Sequence, residues 1–285
     1  MLRFLSTCVA AVVLASAGGS APALAQQPAP FVQHRAVYDL SLVRSQGKAA
    51  VVAVRGRILY DFKGSACDGY TLDFRQVSEL DNGEGGVILS DLRANTWEAG
   101  DAASFNFRSE NRLNENLTDE VSGEALRGPE GIKVRLTKPA KADNTLEATV
   151  LFPTQHVARV LDAAREGRTV FETPVYDGSD KGEKVYNTLT VIGREIAAAE
   201  KPPEDAAAGK AELAGLRRWP VTVSYFDRTA DRTGEQLPVY AISFELYENG
   251  ISRALTLDYN DFVIRGALTS LDIAPAKPCK DGGAK

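Results

Sequence analysis

Few side chains in this 285-residue sequence are placed to do chemistry, and its cysteines and histidines carry most of the possibilities. Three cysteines occur, at Cys8, Cys67 and Cys279. Neither Cys67 nor Cys279 has a Cys-x-x-Cys neighbour or a nearby histidine, so the spacing of a zinc site is missing. The pair fits one disulfide instead, if Cys8 is removed and the chain enters an oxidising compartment. Two unpaired thiols are the alternative. The histidines are His34 and His156. A serine hydrolase needs one of them beside an activated serine, and no Gly-x-Ser-x-Gly elbow occurs to hold that serine. Gly178-Ser179-Asp180 lies in a polar stretch, Asp177 to Gly182, that turn chemistry explains.

The carboxylates offer no more. Asp81-Asn82-Gly83-Glu84-Gly85 and Asp258-Tyr259-Asn260-Asp261 lack the alternating spacing and terminal Glu of a calcium loop, and both read as turns. No Gly-rich loop lies between a strand and a helix to cradle phosphate. Trp97-Glu98 has the make-up of a carbohydrate-stacking pair, although a buried Trp with an exposed neighbour is the ordinary expectation. No catalytic residue, metal site or cofactor is predicted, and the chain is expected not to be an enzyme.

The N-terminus reads as a secretory signal over residues 1–25. Met1-Leu2-Arg3 is a short basic start, Phe4 to about Gly18 is apolar, and Ala23-Leu24-Ala25 fits the small-x-small cleavage pattern. Cys8 would leave with it, turning an odd cysteine count into an even one. No later apolar run is long enough to span a bilayer, so no transmembrane segment is expected after cleavage. With 33 basic against 38 acidic residues and a net charge of −5, the chain is a poor partner for nucleic acid.

The rest must position these residues, and its dominant pattern is period-two alternation. Tyr38 to Val43, Val52 to Phe62, Tyr70 to Val77, Val87 to Trp97, Ser104 to Arg108, Ile132 to Leu136 and Thr145 to Leu151 read as strands separated by short turns. Strands resume at Thr169 to Tyr176, Glu183 to Ile196, Trp219 to Phe226, Leu237 to Tyr247, Ser252 to Leu257 and Phe262 to Ile273. Asn249-Gly250 is a strong hairpin signal. One segment breaks the rhythm. Thr154 is expected to cap a helix that ends at Gly167, with Val157, Val160, Leu161 and Ala164 forming its apolar stripe. The candidate functional or structural helix start is thus Phe152, Pro153, Thr154 and His156, with His156 expected to pack on the sheet. The Ala- and Pro-rich stretch near 197–215 reads as a polar, solvated insert with a short helical piece at Gly209–Leu216. The prediction is a mainly β chain: a curved antiparallel sheet, open or barrel-like, in one domain over 26–285, with one amphipathic helix packed on it.

Several short segments in this order resemble a known family. They are Cys67-Asp68-Gly69-Tyr70, Thr96-Trp97-Glu98, Phe152-Pro153-Thr154-Gln155-His156, Tyr176-Asp177-Gly178-Ser179-Asp180 and Pro278-Cys279. Together they are similar to the EipB family of periplasmic cell-envelope integrity proteins of Alphaproteobacteria. The resemblance implies a many-stranded β-spiral with a helix against it, and a disulfide joining Cys67 to Cys279. It also implies a periplasmic location, a role in envelope integrity and resistance to cell-wall stress, and a tetratricopeptide-repeat partner.

Three functional readings follow. The first is a non-catalytic periplasmic factor acting through protein contacts. The second is a carrier or binder of lipid or lipoprotein chains in the concave face, and the third an enzyme acting on envelope polymers. A concave face lined with Leu, Val and Phe would favour the carrier, and a packed interior with an exposed apolar patch would favour the contact protein.

Overall fold

The computed structural model describes residues 31–46, 51–83, 85–197, 199–200, 205, 207, 209–228 and 236–275. The proposed leader, Cys279 and parts of the 197–215 insert lie outside the described residues. Strands β1 (His34–Ser45), β2 (Ala53–Ser65), β3 (Gly69–Asp81), β4 (Val87–Glu98), β5 (Ser104–Leu113), β6 (Asn116–Gly128), β7 (Gly131–Lys138) and β8 (Ala142–Leu146) come first. Helix α1 (Pro153–Arg165) follows. The second series is β9 (Val170–Val175), β10 (Tyr186–Ile192), β11 (Arg218–Asp227), β12 (Tyr240–Tyr247), β13 (Ser252–Asp258) and β14 (Phe262–Ile273).

Among the described residues fourteen strands form one antiparallel sheet, in the order β8-β7-β6-β5-β4-β3-β2-β1-β14-β13-β12-β11-β10-β9. Except for β8 and β9, consecutive strands hydrogen-bond to each other, and β1 also pairs with β14, for example Tyr38 opposite Leu268. The two ends of the folded chain therefore meet mid-sheet, and the two free edges, β8 and β9, flank the helix in sequence. A sheet of this width curls to cover its own apolar face. The alternation shows it: Ala36, Tyr38 and Leu40 of β1, and Ile132, Val134 and Leu136 of β7, are buried while their neighbours point outward.

Three apolar clusters fill the inside. One runs along the β1–β14 seam, including Tyr38, Ile58 and Leu268. A second lies under β5–β7, with Phe105, Phe107, Val121 and Ile132. The third joins α1, through Val160, Leu161, Ala163 and Ala164, to Ile192, Trp219 and Val221. Phe152, just before the helix, belongs to the second cluster, so α1 ties one half of the sheet to the other. The helix ends in a Schellman motif: Gly167 N–H donates to Ala164 O at 3.1 Å and Arg168 N–H to Ala163 O at 2.9 Å.

Four expectations need correction. The sequence reading has no strand at β6, because its inward face is built from Val121, Gly123 and Ala125, too small to make an apolar pattern. Gly123 stands opposite Phe107, and a Cβ there would lie 2.8 Å from Phe107 Cζ and 2.7 Å from Arg135 O. The strand expected at Thr145 to Leu151 is instead β8, Ala142–Leu146, since the carbonyls of Ala148 and Val150 are taken by Arg127. The insert is not simply solvated. Asp205, Ala207 and Leu213 are buried, and Ala207 and Leu213 pack into the seam cluster. The Asp205 carboxylate lies 3.5 Å from Nη1 of the fully buried Arg253, whose Nη2 donates to Glu245 at 2.8 Å. A buried arginine needs such counter-charges, and these hold the insert down. Its helical piece is one 3-10 turn, Ala211–Leu213. Finally, the helix starts one residue before Thr154.

Gly123→Val is expected to lower stability by about 1–3 kcal/mol through overpacking against Phe107 and the β7 backbone. Chemical denaturation would check this, and an unchanged midpoint would remove the close approach from the account of β6.

Candidate functional site at the start of the helix

The helix start collects more long-range polar contacts than any sequence signal foretold. Phe152 is the N-cap, extended at φ −88°, and Pro153 occupies the first helical position, where its missing N–H costs nothing. No side chain of the segment itself caps the helix, so Thr154 is not the cap. The first amides of a helix need acceptors, and here a distant strand supplies them. Glu98, the last residue of β4, accepts from Thr154 N–H at 2.7 Å and from Gln155 N–H at 2.8 Å, one carboxylate oxygen each. The expectation for Trp97-Glu98 is thereby reversed: Glu98 is the buried member, and Trp97 is half-buried.

Arg127 of β6 completes the joint. Its Nε donates to Ala102 O at 3.1 Å, Nη1 to Ala148 O at 2.6 Å, and Nη2 to Val150 O at 3.0 Å and Gln155 Oε1 at 3.2 Å. The guanidinium lies 5.1 Å from the centre of the Phe152 ring, which stacks on Phe105 at 5.2 Å. One arginine thus binds three loop carbonyls, the helix and an aromatic face at once. Burial pushes the Glu98 carboxyl up to about 7, against the opposing pull of the two amide bonds and Arg127.

The predicted residues separate into two environments. His156 is buried in the first turn, its ring 6.2 Å from that of Phe171 and its Nε2 3.5 Å from Thr188 Oγ1. Burial drives it down to about 4, so it is neutral at physiological pH. It packs on the sheet as the sequence indicates. His34 donates from Nδ1 to Val32 O at 2.9 Å and stacks on Tyr60 at 5.5 Å. Among the described residues neither imidazole hydrogen-bonds a carboxylate or a serine, as a nucleophile–base pair would. Ser179 N–H donates to Asp177 Oδ1 at 2.9 Å, and the Tyr186 hydroxyl donates to Asp180, as fits a turn. Gly83 N–H to Asp81 Oδ1 at 2.8 Å, and Asn260 N–H to Asp258 Oδ1 at 2.9 Å, give the two acidic segments the same role. Cys67 sits in the β2–β3 turn, its N–H donating to Ser65 Oγ at 3.3 Å. Its proposed partner Cys279 lies outside the described residues.

Two spaces flank the helix start. Between α1 and the sheet lies a cavity of about 140 Å³ lined by Phe31, His34, Tyr60, Phe62, Val157 and Phe244. Outside it, an open groove of about 450 Å³ runs past Tyr70, Glu98, Asp101, Gln155, Arg159 and Asp162. Phe31 borders both spaces, its ring packed edge-on to Tyr70 at 5.5 Å. The constellation joins, caps and closes.

Sequence could not assign Glu98 or Arg127 to the helix start, 56 and 28 residues from their helix partners. The one available signal is negative: a helix opening Phe-Pro has no local capping side chain, so a remote acceptor is needed.

Because its folded-state pKa lies above the ordinary 4.5, Glu98 contributes stability that is complete below about pH 4.5 and is lost as pH climbs through about 7. The contribution is about 3 kcal/mol at most. Glu98→Gln is expected to flatten the fall in stability between pH 5 and pH 8, measured by urea denaturation. A mutant that keeps the wild-type slope would contradict this origin.

Comparison with known proteins places the chain. A relative from Brucella abortus (strain 2308), the cell envelope integrity protein EipB, is 35% identical over 284 residues, covering 100% of this chain and 99% of the relative. A solved structure from Brucella abortus, described as a beta-barrel-like protein of a domain of unknown function, superposes with a TM-score of 0.79. It is 35% identical and covers 87% of this chain and 100% of its own. The EipB-like family model matches residues 25–275, and the chain belongs to the EipB-like family.

Proposed function

We propose that this chain is a non-catalytic periplasmic factor that supports cell-envelope integrity through protein contacts, with a tetratricopeptide-repeat protein as its partner. The Brucella relative is named for envelope integrity, and the N-terminal segment has the make-up of an export signal.

The observation that carries the contact reading is where apolar surface lies. Inside, three clusters fill the curl, and the cavity beside α1, about 140 Å³, falls below the ~300–1,000 Å³ of ordinary ligand pockets. Outside, large apolar side chains gather where strands β1–β6 end on one rim: Val43, Val52, Val87, Ile88, Leu113 and Leu117. Antiparallel register places them at the same end of the sheet, with Val87 opposite Asp81, Ile88 opposite Leu80, and Leu117 opposite Arg112. Val87 is 55% exposed and Leu117 47%, and an exposed apolar rim is the kind of surface a protein contact covers.

A second reading, as carrier of a lipid or lipoprotein chain, draws on the aromatic lining of the small cavity. It needs the cavity to enlarge severalfold. The link between Cys67 and Cys279 belongs to the same proposal, as the device that holds early and late parts of an open sheet together in an oxidising compartment. Cys67 is disulfide-bonded, which supports it.

Photocrosslinking in the periplasm from positions 52 and 113 is expected to trap a tetratricopeptide-repeat protein, and adding Val87→Asp with Leu117→Asp should abolish the product while leaving the melting temperature unchanged. Unaltered crosslinking in that variant would sink the contact reading. Bound lipid in native mass spectra of the periplasmic protein would move the reading to the carrier. Cys67→Ser is expected to cost about 2–4 kcal/mol under oxidising conditions. Equal stability of mutant and wild type would remove the disulfide.

A further inference from the structure

Trp97 has no part in the joint that its neighbour Glu98 completes. On a strand, successive side chains face opposite ways, so Trp97 projects from the outer face of the sheet. Its indole lies over Gly69, where a Cβ would come within 2.6 Å of Cζ2 and 2.8 Å of Nε1. Gly69 also has φ +79°, so the floor beneath the ring is reserved for glycine twice over. The ring is pinned to the sheet and half-open to solvent. Its indole nitrogen has no hydrogen-bond partner among the described residues.

Polar side chains continue outward from this ring in register. Trp97 stands opposite Asn106, Asn106 opposite Glu124, and Glu124 opposite Arg135. These four strands span about 14 Å. A shallow groove of about 320 Å³ follows that row. A second, of about 300 Å³, continues it past Arg93, Asp73 and Glu110, and the two share Asn95 and Arg108. The Asn106 side chain also has no hydrogen-bond partner among the described residues.

Charge along the surface is cancelled internally. Arg108 pairs with Glu110 at 2.7 Å, Arg135 with Glu124 at 2.8 Å, and Arg75 and Arg93 share Asp91 at 2.9 and 2.8 Å. Along the two grooves, phosphate-rich ligands find no uncompensated cation among the described lining residues. What remains is an aromatic plate beside amides, carboxylates and guanidinium groups that both donate and accept. A pyranose has the matching surfaces: a C–H face to lie on an indole, and equatorial hydroxyls for paired planar donors and acceptors. We propose that the outer face of β3–β7 binds a neutral saccharide chain, with Trp97 as the stacking residue and Asn95, Asn106 and Arg108 as hydrogen-bonding residues.

The chain's two tryptophans make the test direct, because Trp219 is buried and its emission should stay constant. Titration with tri-N-acetylchitotriose and with maltotriose is expected to give a saturable change in tryptophan emission with at least one of them, at a micromolar to millimolar dissociation constant. The change should vanish in Trp97→Ala and weaken severalfold in Asn106→Ala, an exposed site where folding is not at stake. No saturable change with either sugar, or a change that survives in Trp97→Ala, would overturn the proposal.

Discussion

An antiparallel meander of fourteen strands leaves two edges, and everything else in this fold depends on how they are joined. The edges are β8 and β9, consecutive in the chain, and α1 is the connection between them. Glu98 receives the helix's first free amides, while Arg127 gathers the carbonyls of the approach. Leu151 then pairs in parallel with Val175, its N–H donating to Pro174 O at 2.9 Å and its carbonyl accepting from Tyr176 N–H at 2.9 Å. The approach to the helix therefore covers part of the β9 edge that would otherwise invite another chain.

This joint also explains why the interior is filled. The helix body packs with the β10–β12 side, and its N-cap residue Phe152 with the β5–β7 side. Once the first turn is fixed by Glu98, Val160 and Leu161 are delivered to their cluster and little room is left behind the helix. A buried carboxylate held by two amides is costly to desolvate, and its raised pKa records that cost. The same enclosure makes both histidines neutral packing residues rather than proton carriers. Surface roles then fall to what points outward: the apolar rim of β1–β6 and the polar face around Trp97.

Much of this was legible in the sequence wherever side chains of normal size alternate. β1, β2, β3, β7 and β14 show their buried faces as Val, Ile, Leu, Phe and Tyr at every second position, and Asn249-Gly250 marks its hairpin. The i, i+3, i+4 stripe of α1 is equally plain. The order of short motifs that resembles the EipB family agrees with the family match over residues 25–275. What sequence did not carry is long-range. Val121, Gly123 and Ala125 hide β6 because Phe107 from the next strand supplies the bulk. Asp205 looks like loop composition until Arg253 is found beside it. Glu98 reads as an exposed neighbour of a buried Trp until the helix start arrives from 56 residues away.

Amide hydrogen exchange at Thr154 and Gln155 tests the central claim most directly. First-turn amides of a helix lack intrahelical acceptors and ordinarily exchange fast. If Glu98 closes the sheet through them, both amides should exchange only with opening of the α1 core, as slowly as Val160 and Leu161. Exchange at the rate of a frayed helix end would show that the carboxylate does not hold the joint, and that the two edges are kept together by something else.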